Sequence, residues 1–332
     1  MRFPLDLVLC LSITATVLVP TSRASAVPGD EQAYSGSLFS PPTPLPKAGA
    51  FYVEPYLYVG SPVGQFGSQG DYHPLPGVQR SVSSLVILKY GITNRISVYI
   101  TPQVQYSWQR SATPSGLKFT DLPFMLQGVA LDRQSRLWPG SWQHTTLTVD
   151  LGMNFPTGSY DRLSRAQDGS GSGVYSFRYG LIDQTGFKFG SMRPFRVRLW
   201  ATGIQPVAST SLNGQSVYGT GTGFSGRAHG EAFGNFGGSV EFSLTRHLVL
   251  ALDMIRDWSS GSHVQGRQIL QTAPAAQNLS FNTPAEDDWF AAPAIEYNWN
   301  ASTSILGGVG LTLSGRDTTR QVIGTLAFEH TF

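Results

Sequence analysis

Residues 145–155 read TTLTVDLGMNF. On an extended chain Leu147, Val149, Leu151, Met153 and Phe155 fall on one side, and Thr146, Thr148, Asp150, Gly152 and Asn154 on the other. A helix repeats every ~3.6 residues, so eleven residues of faultless period two exclude it. A strand half-buried in a soluble sandwich alternates in the same way but usually runs for about five or six residues. A tilted strand crossing a bilayer needs about nine to eleven. The length of the alternation points to a membrane strand.

The pattern recurs. In RISVYITPQVQYSW, Ile96, Val98, Ile100, Val104, Tyr106 and Trp108 oppose Arg95, Ser97, Tyr99, Gln103 and Gln105. In HLVLALDMIRDW, Leu248, Leu250, Leu252, Met254 and Trp258 oppose His247, Asp253 and Asp257, and FAAPAIEYNW and QVIGTLAFEHTF repeat the theme. Reading the chain this way predicts about twelve strands, near 49–59, 79–90, 95–108, 117–131, 143–155, 173–189, 195–206, 227–244, 247–258, 286–299, 302–313 and 318–332. Aromatics gather at strand ends (Tyr106, Trp108, Trp258, Trp289, Trp299), where an interfacial girdle would place them. The connections alternate: tight ones such as GITN, GSMRP, TR and NA follow even-numbered strands, and long ones follow the first, fifth, seventh and ninth. The expected fold is an all-β, antiparallel, up-and-down transmembrane barrel of the outer-membrane type, with short periplasmic turns, long outer loops and both termini on the periplasmic side. In hydrocarbon every backbone N–H and C=O must be paired within the protein, so the last strand has to meet the first.

Composition agrees. Charged residues make up 13% of the 332, about half the share of a soluble globular protein, and there are 37 glycines. Mean hydropathy is only −0.08, and beyond residue 26 no stretch approaches the ~20 apolar residues of a membrane helix. The first 26 residues carry Arg2, an apolar core over about 7–19 and a small-x-small site at Ala24-Ser25-Ala26, the pattern of a secretory signal peptide cleaved after Ala26. Removing Arg2, Arg23 and Asp6 with it takes the formal charge from +2 to +1, which gives no electrostatic case for nucleic acid. Cys10, the single cysteine, lies in that leader, so no disulfide is available to the mature chain. Residues 27–48 are Pro-, Gly- and Ser-rich, and two readings stay open for them: a periplasmic lead or a plug in the lumen. Residues 49–332 form the barrel domain.

With apolar faces turned to lipid, the lumen-lining set is Glu54, Lys89, Arg95, Asp121, Asp150, Arg178, Lys188, Arg196, Arg198, Glu231, Glu241, Asp253, Asp257 and Glu296. Both signs are present, so a single-sign selectivity ring is not expected. Arg178, Lys188, Arg196 and Arg198 on strands six and seven suggest a basic ladder, and Glu231, Glu241, Asp253 and Asp257 on strands eight and nine an acidic one; opposed across a pore, they would set up a transverse field. No His/Cys/Asp cluster has metal-ligand spacing, and no cofactor is expected. A Gly221-x-Gly223-x-x-Gly226 match opens a strand and offers no helix N-terminus to a phosphate. His229 with Ser225 nearby is the one pairing that a lipid hydrolase could use, but no nucleophile-elbow signature surrounds it; the chain is not expected to be an enzyme.

YGITNRISVYITPQV (90–104), DLGMNFPTG (150–158), the Gly-Ser-Gly stretch before VYSFRYG (174–180) and the closing RQVIGTLAFEHTF resemble the outer-membrane family named for the meta-pathway of phenol degradation. The resemblance spans roughly 49–332 and implies an outer-membrane channel for small molecules, with hydrophobic or aromatic compounds among its solutes. A non-transporting barrel, serving as an anchor or as a loop-built receptor surface, is the alternative. Outer-membrane lipid and lipopolysaccharide are the expected surroundings. Phe328 and the terminal Phe332 resemble the C-terminal signal read by the barrel-assembly machinery. Deleting Phe332 is therefore expected to lower the amount of folded protein in the outer membrane, measured by heat-modifiable gel mobility, before any transport property changes.

Overall fold

The computed structural model describes residue 34 and residues 36–42, 46–75, 80–109, 115–270 and 273–332. The expected signal peptide and the beginning of the Pro/Gly-rich segment lie outside them. Twelve antiparallel strands form the wall: β1 (Phe51–Phe66), β2 (Arg80–Thr93), β3 (Ile96–Ile100 and Gln103–Trp108), β4 (Leu122–Ser135), β5 (Ser141–Phe155), β6 (Ser176–Phe189), β7 (Phe195–Pro206), β8 (Phe233–Ser243), β9 (Leu248–Ser259), β10 (Glu286–Asn300), β11 (Thr303–Arg316) and β12 (Thr319–Thr331). Each pairs with its neighbour in sequence, and β1 pairs with both β2 and β12, so the sheet closes on itself. The closing seam runs from Tyr52↔Thr331 to Gln65↔Thr319, with one irregularity between Pro62 and Gly64. At its periplasmic end the Phe332 N–H donates to the Phe51 carbonyl at 2.9 Å.

The alternation read from the sequence decides which way each side chain points. On β5, Thr146, Thr148 and Asp150 are buried on the inner side, while Leu151 faces out. Every strand offers an apolar residue to the exterior: in order around the wall Leu57, Tyr90, Tyr106, Leu126, Leu151, Leu181, Leu199, Val240, Leu252, Ile295, Val309 and Leu326, each exposed. A continuous apolar belt of this extent would drive a soluble protein to aggregate and is the surface that lipid covers. Aromatic girdles edge it. Trp138 stacks on Phe189 (4.9 Å between centroids) and Trp299 meets Tyr297 (5.4 Å) at the periplasmic rim; Tyr106 meets Trp108 (5.9 Å) and Phe236 meets Trp289 (6.0 Å) toward the outer one. Among the described residues no helix is long and apolar enough to cross a membrane.

Several boundaries differ from those expected, among them β4, expected over 117–131, which runs Leu122–Ser135 while Lys118–Phe119 pair back onto Gln105 and Val104 of β3. β1 continues to Phe66, because β12 gives it partners above Val59. Arg95 falls in the tight turn before Ile96, where its side chain is exposed and outside the lumen, its N–H donating to Thr93 Oγ1 at 3.1 Å and its carbonyl accepting from Val129 N at 2.9 Å. β8 starts at Phe233 and not near 227. Pro206 has no N–H to donate, and β7–β8 pairing stops at Ile204↔Phe233. Residues Phe224–His229 instead pair with Ser209–Asn213 and with His263–Leu270, which in turn pairs with Ala273–Asn282. Two connections read as irregular loops thus join in a separate four-stranded sheet on the outer rim. Its inward face, with Leu212, Phe224, Ala228 and Val264, packs with Tyr218 into a small core of its own.

Closure can be tested covalently, because no other cysteine follows Cys10. Leu57→Cys with Leu326→Cys, register partners on β1 and β12, is expected to oxidise to a cross-link in the folded protein. Leu57→Cys with Leu199→Cys, on a strand that does not adjoin β1, is expected not to. Non-reducing gel mobility of the denatured chain reads the difference.

Candidate functional site

The interior is polar by the same alternation that makes the exterior apolar, and charges buried there need partners. Most find them close by. The Tyr52 and Tyr56 hydroxyls donate to Glu54 at 2.6 and 2.7 Å. The Tyr99 hydroxyl donates to Asp150 (2.9 Å), Arg178 to Asn154 (3.0 Å), and Asn298 to Glu296 (2.5 Å). Arg196 on β7 and Glu241 on β8 are register partners and form a buried fork-to-fork ion pair through Nε and Nη2, the latter at 2.6 Å. Arg198 donates to Gln184 at 3.0 Å.

This arrangement corrects the opposed-ladder expectation. The basic residues of β7 lie beside the acidic residue of β8, not across a pore from it, and the nearest opposite charges cancel within one strand spacing. The remaining candidates separate by level. Lys188 is half-buried near the periplasmic end. Asp257 is half-buried toward the outer end, in register with Asp288. Asp121 and Glu231 lie above them at the outer mouth.

The periplasmic half of the lumen is filled by the chain itself. Residues 36–42 are buried inside the wall, with Tyr34 below them at the level of Ser243 and Arg196. The Phe39 N–H donates to Asp253 at 2.9 Å, and its ring meets Phe290 edge-on at 5.0 Å between centroids. Arg198 donates to Ser40 Oγ and to the Pro41 carbonyl, the latter at 3.3 Å. Gln127 donates to the Pro42 carbonyl at 2.5 Å and Lys89 to the same oxygen at 3.4 Å. Gly308 is the point of closest fit: a Cβ there would come within 2.6 Å of Leu38 Cδ1 and 2.3 Å of the Pro293 carbonyl. Residues 36–42 thus bend at Leu38–Ser40 and lead from Asp253 and Phe290 to Arg198, Gln127 and Lys89, and the Gly49 N–H donates to the Gly91 carbonyl at 2.8 Å before β1 begins.

Above this segment lies a cavity of about 110 Å³ bounded by Pro123, Asn154, Val174, Arg178, Pro206, Val217, Tyr218, Glu231 and Phe233. Asp121 holds its cover in place, accepting from Gly158 N (3.0 Å), Ser172 N (2.8 Å) and Ser172 Oγ (2.6 Å), while the Tyr218 hydroxyl donates to the Ser172 carbonyl at 2.6 Å. Burial pushes both the Tyr218 hydroxyl and the Glu231 carboxyl above their ordinary ranges.

Sequence reading had selected the charges and missed the neutral groups that satisfy them: Tyr52, Tyr56, Tyr99, Gln127, Gln184 and Asn298. The signal for these was available, since each stands at the same parity as a charge on its own or a neighbouring strand. His229 and Ser225 are four residues apart on one extended strand, so their Cα atoms are separated by about 13 Å, too far for a nucleophile and its base.

No protein-family model matches the chain, and no curated protein matches it. Among solved structures it is similar to an outer membrane channel from Pseudomonas putida F1, at 15% identity and a TM-score of 0.55, over 93% of this chain and 100% of that one. A toluene transporter from Ralstonia pickettii (11% identity, 86% of this chain and 90% of that one, TM-score 0.36) and an autotransporter translocator domain from Neisseria meningitidis (12%, 86% and 90%, TM-score 0.37) are more remote. The first likeness is one of fold, and the other two add nothing to it.

The Arg196–Glu241 pair provides a test of interior energetics. Arg196→Ala or Glu241→Ala alone strands a buried charge and is expected to cost about 3–5 kcal/mol, whereas Arg196→Met with Glu241→Leu is expected to cost much less. Denaturant unfolding of the folded barrel in detergent measures both.

Proposed function

We propose that the chain is an outer-membrane channel for small molecules whose periplasmic half is kept shut by its own N-terminal segment. The observation that carries the reading is the way residues 36–42 occupy the lumen. They are held by side-chain hydrogen bonds to wall residues and by the contacts of Leu38 and Phe39, not by pairing as a strand of the wall.

The forces on the segment are nearly balanced. Ordering seven residues costs about 7–14 kcal/mol at ~1–2 each. Burying Leu38 and Phe39 returns about 3–6 kcal/mol, and each hydrogen bond from the wall to the segment about 0.5–1.5 kcal/mol. A segment held by a margin of a few kcal/mol can be displaced by a solute or by a partner at the periplasmic face.

The finer reading concerns the solute. The cavity at the outer mouth approaches the ~150 Å³ that suffices for a single benzene ring, and Pro123, Pro206, Val174, Val217, Tyr218 and Phe233 enclose it together with the polar groups of Asp121, Asn154, Ser172, Ser176, Arg178 and Glu231. This suits a small compound with an apolar body and one or two hydrogen-bonding atoms. The resemblance to the phenol meta-pathway family and the fold shared with an outer membrane channel support the same assignment.

A chain lacking residues 34–42 is expected to fold as the parent does and to raise small-solute flux in liposome swelling, and conductance in planar bilayers, by tenfold or more, the factor that corresponds to about 1.4 kcal/mol of lost closure. Flux equal to that of the intact chain would refute the closure role. Absence of conductance from both would refute the channel.

A further inference from the structure

The four-stranded sheet on the outer rim has two unlike faces. One belongs to the small apolar core, and the other carries Ser225, Arg227, Gln265, Arg267, Asn278 and Ser280, all exposed. Residues 207–230 and 259–285, which build the sheet and its turns, contain no Asp or Glu, although the chain has 21 acidic residues. Among the described residues neither Arg227 nor Arg267 has an ion-pair partner. Arg227 lies opposite Gln265 and Arg267 opposite Ser225, so the two guanidinium-bearing positions are diagonal neighbours about 7–8 Å apart on one face. Asn278 and Ser280 flank them from the next strand, and a shallow depression opens between these side chains. Two like charges set this close, with no acid on the same sheet, repel each other until an anion lies between them.

We infer that this face binds the phosphorylated core glycan of lipopolysaccharide, the two arginines sharing a phosphate and the amide and hydroxyl side chains meeting sugar hydroxyls. Guanidinium groups match phosphate through paired N–H donors, and Gln, Asn and Ser supply the mixed donors and acceptors that a sugar needs. The position argues for a lipid-borne source. The sheet grows from the outer ends of β7–β8 and β9–β10, directly above the apolar belt. Below it, on the lipid-facing side, Arg256 and Arg316 converge on Asp287 at 3.0 and 2.7 Å, with Asp317 beside Arg316, so the wall under the sheet carries a neutralised charge cluster while the two arginines of the sheet face do not belong to one. The inference rests on the placement of the barrel in an outer membrane and is independent of what the channel carries.

The test measures binding of purified deep-rough lipopolysaccharide to the full-length folded protein in nonionic detergent. Arg227→Gln with Arg267→Gln is expected to weaken binding roughly tenfold or more and to lessen its salt dependence. Dephosphorylated lipopolysaccharide is expected to bind the parent as weakly as the phosphorylated form binds the double variant. Arg246→Gln, in an exposed periplasmic turn, serves as the control and is expected to change nothing. Equal binding by the parent and the double variant, both confirmed as folded by heat-modifiable mobility, would overturn the proposal. So would full competition by millimolar inorganic phosphate, which would reassign the face to free anions. Conductance of the same preparations, read alongside, keeps failure here distinct from failure of the channel reading.

Discussion

A peptide group in hydrocarbon has no water to turn to, and an N–H or C=O left unpaired there costs several kcal/mol. Twelve strands exposed to lipid can meet that condition only as a closed cylinder, and the seam between β1 and β12 is where this chain meets it. Most other features follow from closure. The alternation must keep its phase around the whole wall, because a one-residue slip would exchange the lipid face for the lumen face. The ends must be bordered by residues at home in both water and lipid, which the tryptophans and tyrosines of the two girdles are.

Closure also creates an interior that cannot be apolar like the exterior and yet is not open to bulk water. The chain solves this in two ways. Charges that alternation turns inward are neutralised by an opposite charge on the adjacent strand, as at Arg196–Glu241, or hydrogen-bonded by a neutral side chain, as at Tyr99–Asp150. What the wall cannot fill, residues 36–42 occupy, and Arg198, Gln127, Lys89 and Asp253 direct part of their bonding to that segment. The same side chains that satisfy one another thus also bind the segment that occupies the lumen.

How far the sequence could be read depended on the range of each interaction. The inward or outward direction of Leu151 against Asp150, or of Phe328 against Glu329, is a local matter of period two, and it was legible from a dozen residues. The tight turns were legible too, from glycine and asparagine between alternating runs. The partner of Arg196 was not: its pairing with Glu241 depends on the register of two strands separated by 26 residues of outer connection between Pro206 and Phe233. Residues 227–229 were misplaced for a related reason, since nothing local separates them from the wall strand that follows, and only the competition between possible sheet partners lifted them onto the rim.

By itself the sequence determined that this chain crosses a bilayer with strands, about how many, and which side chains face lipid, because the pleat assigns faces without reference to anything distant. The tertiary structure alone decided which inward charges meet, that two outer connections join in one sheet with two unpaired arginines on its open face, and that a Pro-rich leading segment lies in the lumen. These outcomes depend on closing the sheet at a particular register and circumference, which joins Phe51 to Phe332 at the seam and, in the lumen, Phe39 to Asp253, 214 positions apart.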